Sequence, residues 1–568
     1  MAGKTYEFIV VGSGPAGSCV ASRIASSASS PSVLLIEAGI AKDESNADIL
    51  AERWSAVAQF PKSVESDQTV PQESLDMRPI NYARGKVLGG GSAINMCAYT
   101  VGPKADYERW AVLVGDSSFG WDNVTRLRKD KLEAFDETIS KEHRMYAAPE
   151  MTLHGKHGAL GISIPGLWES PVTLQLEAAK VSELGLNLDI NSGNPLGMAT
   201  VPSTAKAGLR STATKAYLEN PPNNLEILTE TVVAQIILKD KKAIGVRATN
   251  REEFYASKEV ILSAGAVSTP KLLMLSGIGD TDELSRHGIE TSHHLPGMGK
   301  NLQDHLSAPF CWKQKKGAVD WPRHFSNADT VEKAREQFLK DGTGPLSIFF
   351  QGLVMGFFKA DEVLDSEEFD GLDQDVKNYL RNETVPVWEL SSHIPPCTPN
   401  ALSAPANHYL TLFVFLHNSQ SRGTVRLASA DPNTPPLIDP KFFSHPFDRL
   451  CALAATKRAL AFIRHPSIAE DIDYQVDGPE SEADKDILQY WRKAASSTWH
   501  PSCTVSMGRE EDEKTCVLSD FRVKGLQGLR VVDLSVLPFL LSCHPVSIAY
   551  LVGEIAVEKI IDEYELNR

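Results

Sequence analysis

Two histidines near the C-terminus carry side chains suited to moving a proton. His500 lies in Trp499-His-Pro-Ser-Cys-Thr-Val-Ser-Met-Gly508 and His544 in Ser542-Cys-His-Pro-Val-Ser547. An imidazole gains or loses a proton near neutral pH, which is acid–base chemistry. The proline after each biases the histidine backbone toward an extended conformation and removes one donor beyond it. His445 and His465 also precede proline, but they sit in a polar segment and at a helix end and read as structural. Taken singly, any of these rings is as readily a satisfied or solvated side chain. A second set of residues, Gly12-Ser-Gly-Pro-Ala-Gly17, points to dinucleotide binding. Gly12 permits a tight turn, Gly14 leaves room for a pyrophosphate, and Gly17 lets helix and strand pack closely. Phosphates then rest on free N–H groups at a positive helix end. Glu37 follows about twenty residues on, the spacing of a carboxylate that accepts a ribose hydroxyl and repels an added ribose phosphate. FAD or NAD is therefore favoured over NADP.

These groups need elements to hold them. Phe8 to Val11 reads as a strand, the small residues after Gly14 as a helix, and the apolar run up to Glu37 as a second strand. Residues 41 to 80 are polar and irregular, broken by Pro61, Pro71 and Pro79, and read as a functional cover. Asn81 to Asn95 contains Gly89, Gly90 and Gly91 in a row. That backbone can lie flat against a large ligand with the Asn95 amide aimed at it, or form a flexible turn. The pattern over 172 to 184 predicts an amphipathic helix, and 225 to 262 the strands of a meander. Ser263 to Gly265 ends a buried strand, and Thr269-Pro270 starts a helix with proline in its first turn. Gln351 to Phe358 and His408 to Leu416 read as sheet strands, with loop or short helices over 360 to 407. Ser421 to Leu427 and Leu529 to Asp533 read as strands, Asp448 to Ile463 and 546 to 562 as helices. The expected class is α/β, with α+β character in a second domain.

At 568 residues the chain exceeds a single hydrophobic core. Its 42% apolar and 23% charged content are those of a soluble globular protein. A net charge of −16 argues against nucleic acid as a partner, because counterion release needs clustered Lys and Arg. No apolar run reaches the roughly 18 residues that span a bilayer. The first strand begins by about residue 6, ahead of any room for a leader. The reading therefore places the protein inside the cell, in the cytoplasm, without a membrane partner. The eight scattered cysteines form no CxxC pair and read as reduced thiols. His154-Gly-Lys-His157 and His293-His294 lie in loops without further ligands, so no metal is expected. No GxSxG elbow is present.

From end to end the chain resembles the glucose–methanol–choline (GMC) oxidoreductases. The resemblance rests on GSGPAGSCVASR with LIEAG, NYARGKVLGGGSAIN, SAGAVSTPKLLMLSGIG, LPGMGKNLQDH, SRGTVRLASADPNTPPLIDP, WHPSCTVSMG and RVVDLSVLP, in that order. It implies a Rossmann-like FAD-binding domain in segments 1–150, 211–309 and 496–568, and a substrate domain with an antiparallel sheet in 151–210 and 310–495. It also implies that Gly12, Ser13, Gly14, Pro15, Ala16 and Gly17 take the pyrophosphate, and Glu37 with Ala38 the adenosine ribose. Arg84, Val87, Gly90, Gly91, Asn95 and Met96 would lie along the cofactor, Asn95 beside the isoalloxazine, and Val233 at the adenine. Ala264 and Trp499 join the cofactor set, while Asp533, Leu534, Pro545 and Val546 meet the flavin end. His500 is similar to the family's catalytic histidine, and His544 stands at the second position.

These roles suit the chemistry of oxidising an alcohol. A neutral imidazole takes the hydroxyl proton, typically worth ~10²–10⁴-fold in rate. A second imidazole donates to the oxygen as charge develops there. His500 is read as base and His544 as partner, with the roles exchangeable. Three departures stand out: Cys503 and Cys543 where the family often has glycine, and Ile94 where some members carry a histidine joined to FAD. Non-covalent FAD is therefore expected, and the two thiols read as space-filling. Phe349, Phe350, Phe357, Phe358, Trp388, Phe413 and Phe415 point to a pocket for an aromatic or apolar alcohol, or to plain core. Oxygen or another acceptor would reoxidise the flavin. The rival readings are a flavin-retaining lyase or cyclase without net redox change, and a flavin-binding protein without catalysis.

Overall fold

The computed structural model describes residues 4–41, 61–136, 139–164, 168, 170–315, 328–341, 354–392, 397–404 and 408–567. The first of its two large sheets contains β1 (Lys4–Val11), β2 (Val33–Ile36), β3 (Leu225–Leu228), β4 (Val233–Lys239), β5 (Lys242–Ala248) and β6 (Glu253–Leu262). Their order is β3-β2-β1-β6-β5-β4. The strands β3, β2, β1 and β6 run parallel, whereas β6, β5 and β4 form an antiparallel meander. Phe8 to Val10, Val33 to Leu35 and Val260 to Leu262 are all wholly buried, as unbroken apolar runs in a sheet covered on both faces should be. Each of the central strands releases a helix at its carboxyl end: α1 (Pro15–Ala25) follows β1, and α2 (Gly265–Leu275) follows β6.

The second sheet is antiparallel and contains β7 (Leu306–Gln314), β8 (Val354–Phe358), β9 (Trp388–Ser392), β10 (Tyr409–Leu416) and β11 (Ile472–Asp477), in the order β8-β9-β10-β7-β11. Helix α3 (Pro446–Ile463) packs on one face against β9 and β10. Residues directly opposite one another share a face. One row across the sheet is Phe357, Glu389, Phe415 and Ser307, and the next is Met355, Ser391, Phe413 and Pro309. The chain then returns to the first sheet, where β12 (Leu529–Val531) pairs with β6 before α4 (Val546–Glu563) closes the structure beside α1. At that crossing a Cβ on Gly553 would stand 3.0 Å from Cys19 Cβ and 3.1 Å from Ala16 Cα, a tight contact that glycine relieves.

Several elements differ from the sequence reading. Helix α2 starts at Gly265, not at Thr269, and Pro270 lies inside it. Proline deprives the Ala266 carbonyl of its helical donor, and the Thr504 hydroxyl supplies one instead at 2.6 Å. The strand β3 leaves the meander and pairs with β2. The connection after it makes no hairpin, because Glu230 N–H donates to the Gly39 carbonyl at 2.8 Å and Thr231 N–H to that of Glu37 at 3.0 Å. The strand β9 lies within a stretch read as loop or short helices; the helices Asp361–Leu364, Glu367–Asp370 and Gln374–Leu380 are also there. Glu389, Ser391 and Ser392 on β9 are all wholly buried. The helix expected over 172 to 184 spans Ser170–Val181, and part of the expected cover over 41 to 80 lies outside the described residues. All eight cysteines are free thiols. Among the described residues no helix is long and apolar enough to cross a membrane.

Beneath the first sheet lies a buried ionic cluster. Arg128 Nε donates to Glu133 Oε1 at 2.7 Å, as does the Tyr99 hydroxyl, also at 2.7 Å. His154, read as a loop residue, is locked between Glu133 at 3.1 Å and Asp189 at 3.2 Å. Burial would raise the Glu133 carboxyl, but the Arg128 charge and the His154 contact bring it from 4.5 down to about 2. Its stabilising contribution is complete above pH 4.5 and is lost as pH falls toward 2. Glu133→Leu strands the Arg128 charge and should cost about 3–5 kcal/mol. A thermal unfolding scan at pH 7 checks this; an unchanged midpoint would refute it.

Candidate active site

A cavity of about 1210 Å³ is lined from both sheets. On the first sheet's side it meets Gly12, Ser13, Gly14, Glu37 and Val233, and three helix N-termini open onto it at Pro15, Gly265 and Val546. The positive ends of the helix dipoles at those termini favour an anionic group. Gly12 takes φ +101°, and a Cβ there would stand 2.3 Å from the Ser263 carbonyl oxygen, so only glycine fits. A Cβ on Gly14 would meet no protein atom within 4 Å, which leaves open space at the turn. Glu37 accepts from Ser13 N–H at 2.9 Å, the Ser13 hydroxyl at 2.7 Å and Gly39 N–H at 2.8 Å. A carboxylate has about four acceptor positions, so one remains for a ligand hydroxyl. Asp533 accepts from Gly265 N–H at 2.9 Å, the Thr269 hydroxyl at 2.6 Å and Ser535 N–H at 2.8 Å. It thereby caps α2 where the cavity begins. Arg84 pairs with Asp67 at 2.6 Å on the same wall.

The histidines come from segments that β7 and β9 hold in place. Just before β7, Asp304 accepts from His500 N–H at 2.9 Å and from the Ser497 hydroxyl at 2.5 Å. Burial pushes the Asp304 carboxyl up to about 6 in spite of these donors. The backbone beside His500 is strained: Trp499 has φ +58° and Cys503 φ +73°, a region that favours glycine. The Thr498 hydroxyl, which donates to the His305 carbonyl at 3.0 Å, and His305 Nδ1 each stand 3.0 Å from His500 Nδ1. His500 itself lines the cavity. Enclosure in the protein, and next the His544 ring, push the basicity of His500 well below its ordinary value.

His544 N–H donates to the Thr100 hydroxyl at 2.8 Å, and the two rings stand 5.0 Å apart at 79°. Behind His544 lies Glu389 on β9, with its oxygens 3.0 and 3.1 Å from His544 Nε2. His417, just past β10, reaches the same carboxylate at 2.8 Å, and His305 lies 4.3 Å from His417 ring to ring. The sequence reading missed Asp304, His305, Glu389, His417 and Thr498. Its one available signal was an acid between Trp388 and Leu390, in a run otherwise suited to a buried strand.

The cavity brings together His500, His544, Asn95, Met96, Ala38, Arg84, Gly90, Gly91, Ala264, Trp499, Leu534, Pro545 and the residues named above. Two candidates stand elsewhere. Gly17 presses α1 onto the glycine turn, where a Cβ would meet Gly12 O at 2.0 Å, and Val87 bridges to Ile40 behind the wall. Of the aromatic set, Phe413 and Phe415 line the cavity. Phe357, Phe358 and Trp388 are buried core, and Phe349 and Phe350 lie outside the described residues. Cys503 and Cys543 are wholly buried and absent from the lining.

Comparison with known proteins gives a consistent picture. GMC oxidoreductase family models match residues 6–307 and 419–553. An alcohol dehydrogenase (acceptor) of Pseudomonas putida is 31% identical, over 99% of this chain and 96% of its own. A pyranose dehydrogenase of Agaricus campestris is 31% identical over 98% and 94%. Among solved structures, a variant formate oxidase of Aspergillus oryzae, described for its FAD modification, superposes with a TM-score of 0.86 at 27% identity, covering 100% and 99%.

The glycine turn yields a paired test. Gly12→Ala must force a left-handed backbone, costing ~1–2 kcal/mol before its clash with Ser263 is counted, and should lower the unfolding midpoint of nucleotide-free protein. Gly14→Val should leave that midpoint unchanged and abolish retention of bound nucleotide, read from absorbance after gel filtration. Normal retention by Gly14→Val would remove the turn from the binding site.

Proposed function

The chain belongs to the GMC oxidoreductase family, and from that membership we propose that it oxidises an alcohol to a carbonyl with bound FAD. The single observation carrying this reading is that His500 and His544 face one cavity with the Gly12–Gly14 turn and three helix N-termini. Gly12 to Ala16 and the amides of α1 would hold the pyrophosphate, and the free acceptor position of Glu37 a ribose hydroxyl. Gly90, Gly91, Asn95 and Met96 would flank the ring system, with Asp533, Leu534, Pro545 and Val546 at its far edge. Ile94 offers no nitrogen for covalent attachment, so binding is non-covalent. When bound, FAD supplies the two-electron acceptor for the hydride of the carbinol carbon.

The chain's own residues handle the proton and the substrate. His500 accepts the hydroxyl proton, its ring held from behind by Thr498 and His305 at Nδ1, a step typically worth ~10²–10⁴-fold. His544 donates to the substrate oxygen as negative charge grows there. Met355, Pro309, Phe413 and Phe415 present an apolar, partly aromatic wall beside the histidines, which favours an apolar or aromatic alcohol. A small-molecule acceptor, oxygen or another, completes the cycle.

A panel of alcohols mixed anaerobically with the yellow protein tests the proposal through flavin absorbance, with peroxide followed on admission of air. Bleaching by an aryl or long-chain alcohol is the expected result. Product without bleaching would instead establish the lyase reading. His500→Ala should keep its FAD and lose about 10³-fold or more in reduction rate. Because His500 is held neutral well below its ordinary range, the wild-type reduction rate should stay level from pH 8 to below pH 6. A fall centred near pH 6.5 would remove His500 as the base.

A further inference from the structure

We propose that Arg210 is a positioning residue that turns the NH2 of the Asn95 amide toward the flavin, so that Asn95 donates to the ring and eases its reduction. The inference rests on the placement of FAD proposed above and concerns what the chain does to that cofactor. Arg210 is wholly buried. It ends the two-residue strand Leu209–Arg210, which pairs with Ala205–Lys206. Ala207 has φ +50° and Gly208 φ +75°, so the link is a tight hairpin turn with both central residues left-handed. The hairpin is tied on each side to the glycine-rich wall of the cavity. Thr204 N–H donates to the Cys97 carbonyl at 2.9 Å, and Ala213 N–H to the Ser92 hydroxyl at 2.9 Å.

From that hairpin Arg210 Nη1 reaches the Asn95 carbonyl at 2.5 Å, Asn95 Oδ1 at 2.9 Å, the Cys97 thiol at 2.9 Å and the Ser92 carbonyl at 3.4 Å. Cys97 N–H also donates to Asn95 Oδ1, at 3.1 Å. A guanidinium nitrogen and a backbone N–H are donors only. An amide turned the other way would set N–H against N–H at both contacts. The atom facing Arg210 and Cys97 is therefore the oxygen. The NH2 is the end with no partner among the described residues, and Asn95 lines the cavity.

Which end of the amide is free matters to a flavin. The polar edge of an isoalloxazine carries ring nitrogens and carbonyl oxygens that accept hydrogen bonds, and these gain electron density when the ring takes up two electrons. A donor fixed beside them stabilises the reduced ring more than the oxidised one, because hydrogen bonds to charged acceptors are the stronger. An amide oxygen in the same place would do the reverse. The guanidinium also polarises the amide through Oδ1, which makes its NH2 the better donor. Arg210 itself is absent from the cavity lining, so it acts on the ring through Asn95.

The test is a redox titration of FAD-loaded protein with dithionite against indicator dyes, which needs no alcohol. Asn95→Ala should shift the two-electron reduction equilibrium about tenfold toward oxidised flavin, which is about 30 mV. Arg210→Met should shift it the same way by at least about threefold. The double variant should go no further than Asn95→Ala alone, because both changes remove one interaction. A potential unchanged or raised in Asn95→Ala would overturn the proposal, since nothing or the amide oxygen would then face the ring. Losses that add in the double variant would overturn it as well, for the guanidinium would then act by its own charge. Should Arg210→Met fail to fold or to keep its FAD, the sign found for Asn95→Ala decides alone. If no alcohol bleaches the flavin, the alcohol-oxidising reading fails while the titration still judges Arg210.

Discussion

Two buried carboxylates hold the site together. Asp304 grips the backbone of His500, and Glu389 grips the ring of His544. The histidines lie 44 positions apart, His500 on an irregular segment and His544 two residues ahead of α4. Taking a carboxylate out of water is tolerable only where donors replace the water. Ser497 and the His500 amide do so for Asp304, while Ser391, His417 and His544 do so for Glu389. The cost of burial is thus converted into a fixed geometry, because a donor that moves away leaves an uncompensated charge.

The antiparallel sheet provides the platform for this arrangement. Its register sets Glu389 between Phe357 and Phe415, and Ser391 between Met355 and Phe413. The same strand face therefore supplies the anion behind His544 and the apolar wall in front of it. Strain at Trp499 and Cys503 turns the His500 segment into the cavity, a backbone cost of the kind concentrated at functional sites. The nucleotide side is built by different means. There the charge is carried by amides and helix ends rather than by side chains, and Gly12 lets the turn lie against Ser263. The helix ends and the two histidines thus face one cavity without sharing the same donors.

Much of this was legible in the residue string. Unbroken apolar runs beside Gly12 and Gly265 mark parallel strands releasing helices, because strands buried on both faces admit no polar alternation. The glycine turn and Glu37 stood out by residue type and local spacing, whereas His500 and His544, which singly read as ordinary side chains, were singled out by the family resemblance. The presence of cysteine at 503 and 543 was visible too, though not that both side chains turn into the core. What spacing could not convey was register. Whether the polar residues of Trp388–Ser392 face water or a cavity depends on which strands lie alongside, and those neighbours are distant in the chain. The same holds for Pro270, whose place inside α2 is tolerated because Thr504, 234 positions on, serves the freed carbonyl. Local pattern therefore marked the glycine turn, and the family resemblance singled out the two candidate rings. Packing alone settled which carboxylates stand behind them, since a buried charge is defined by its neighbours in space.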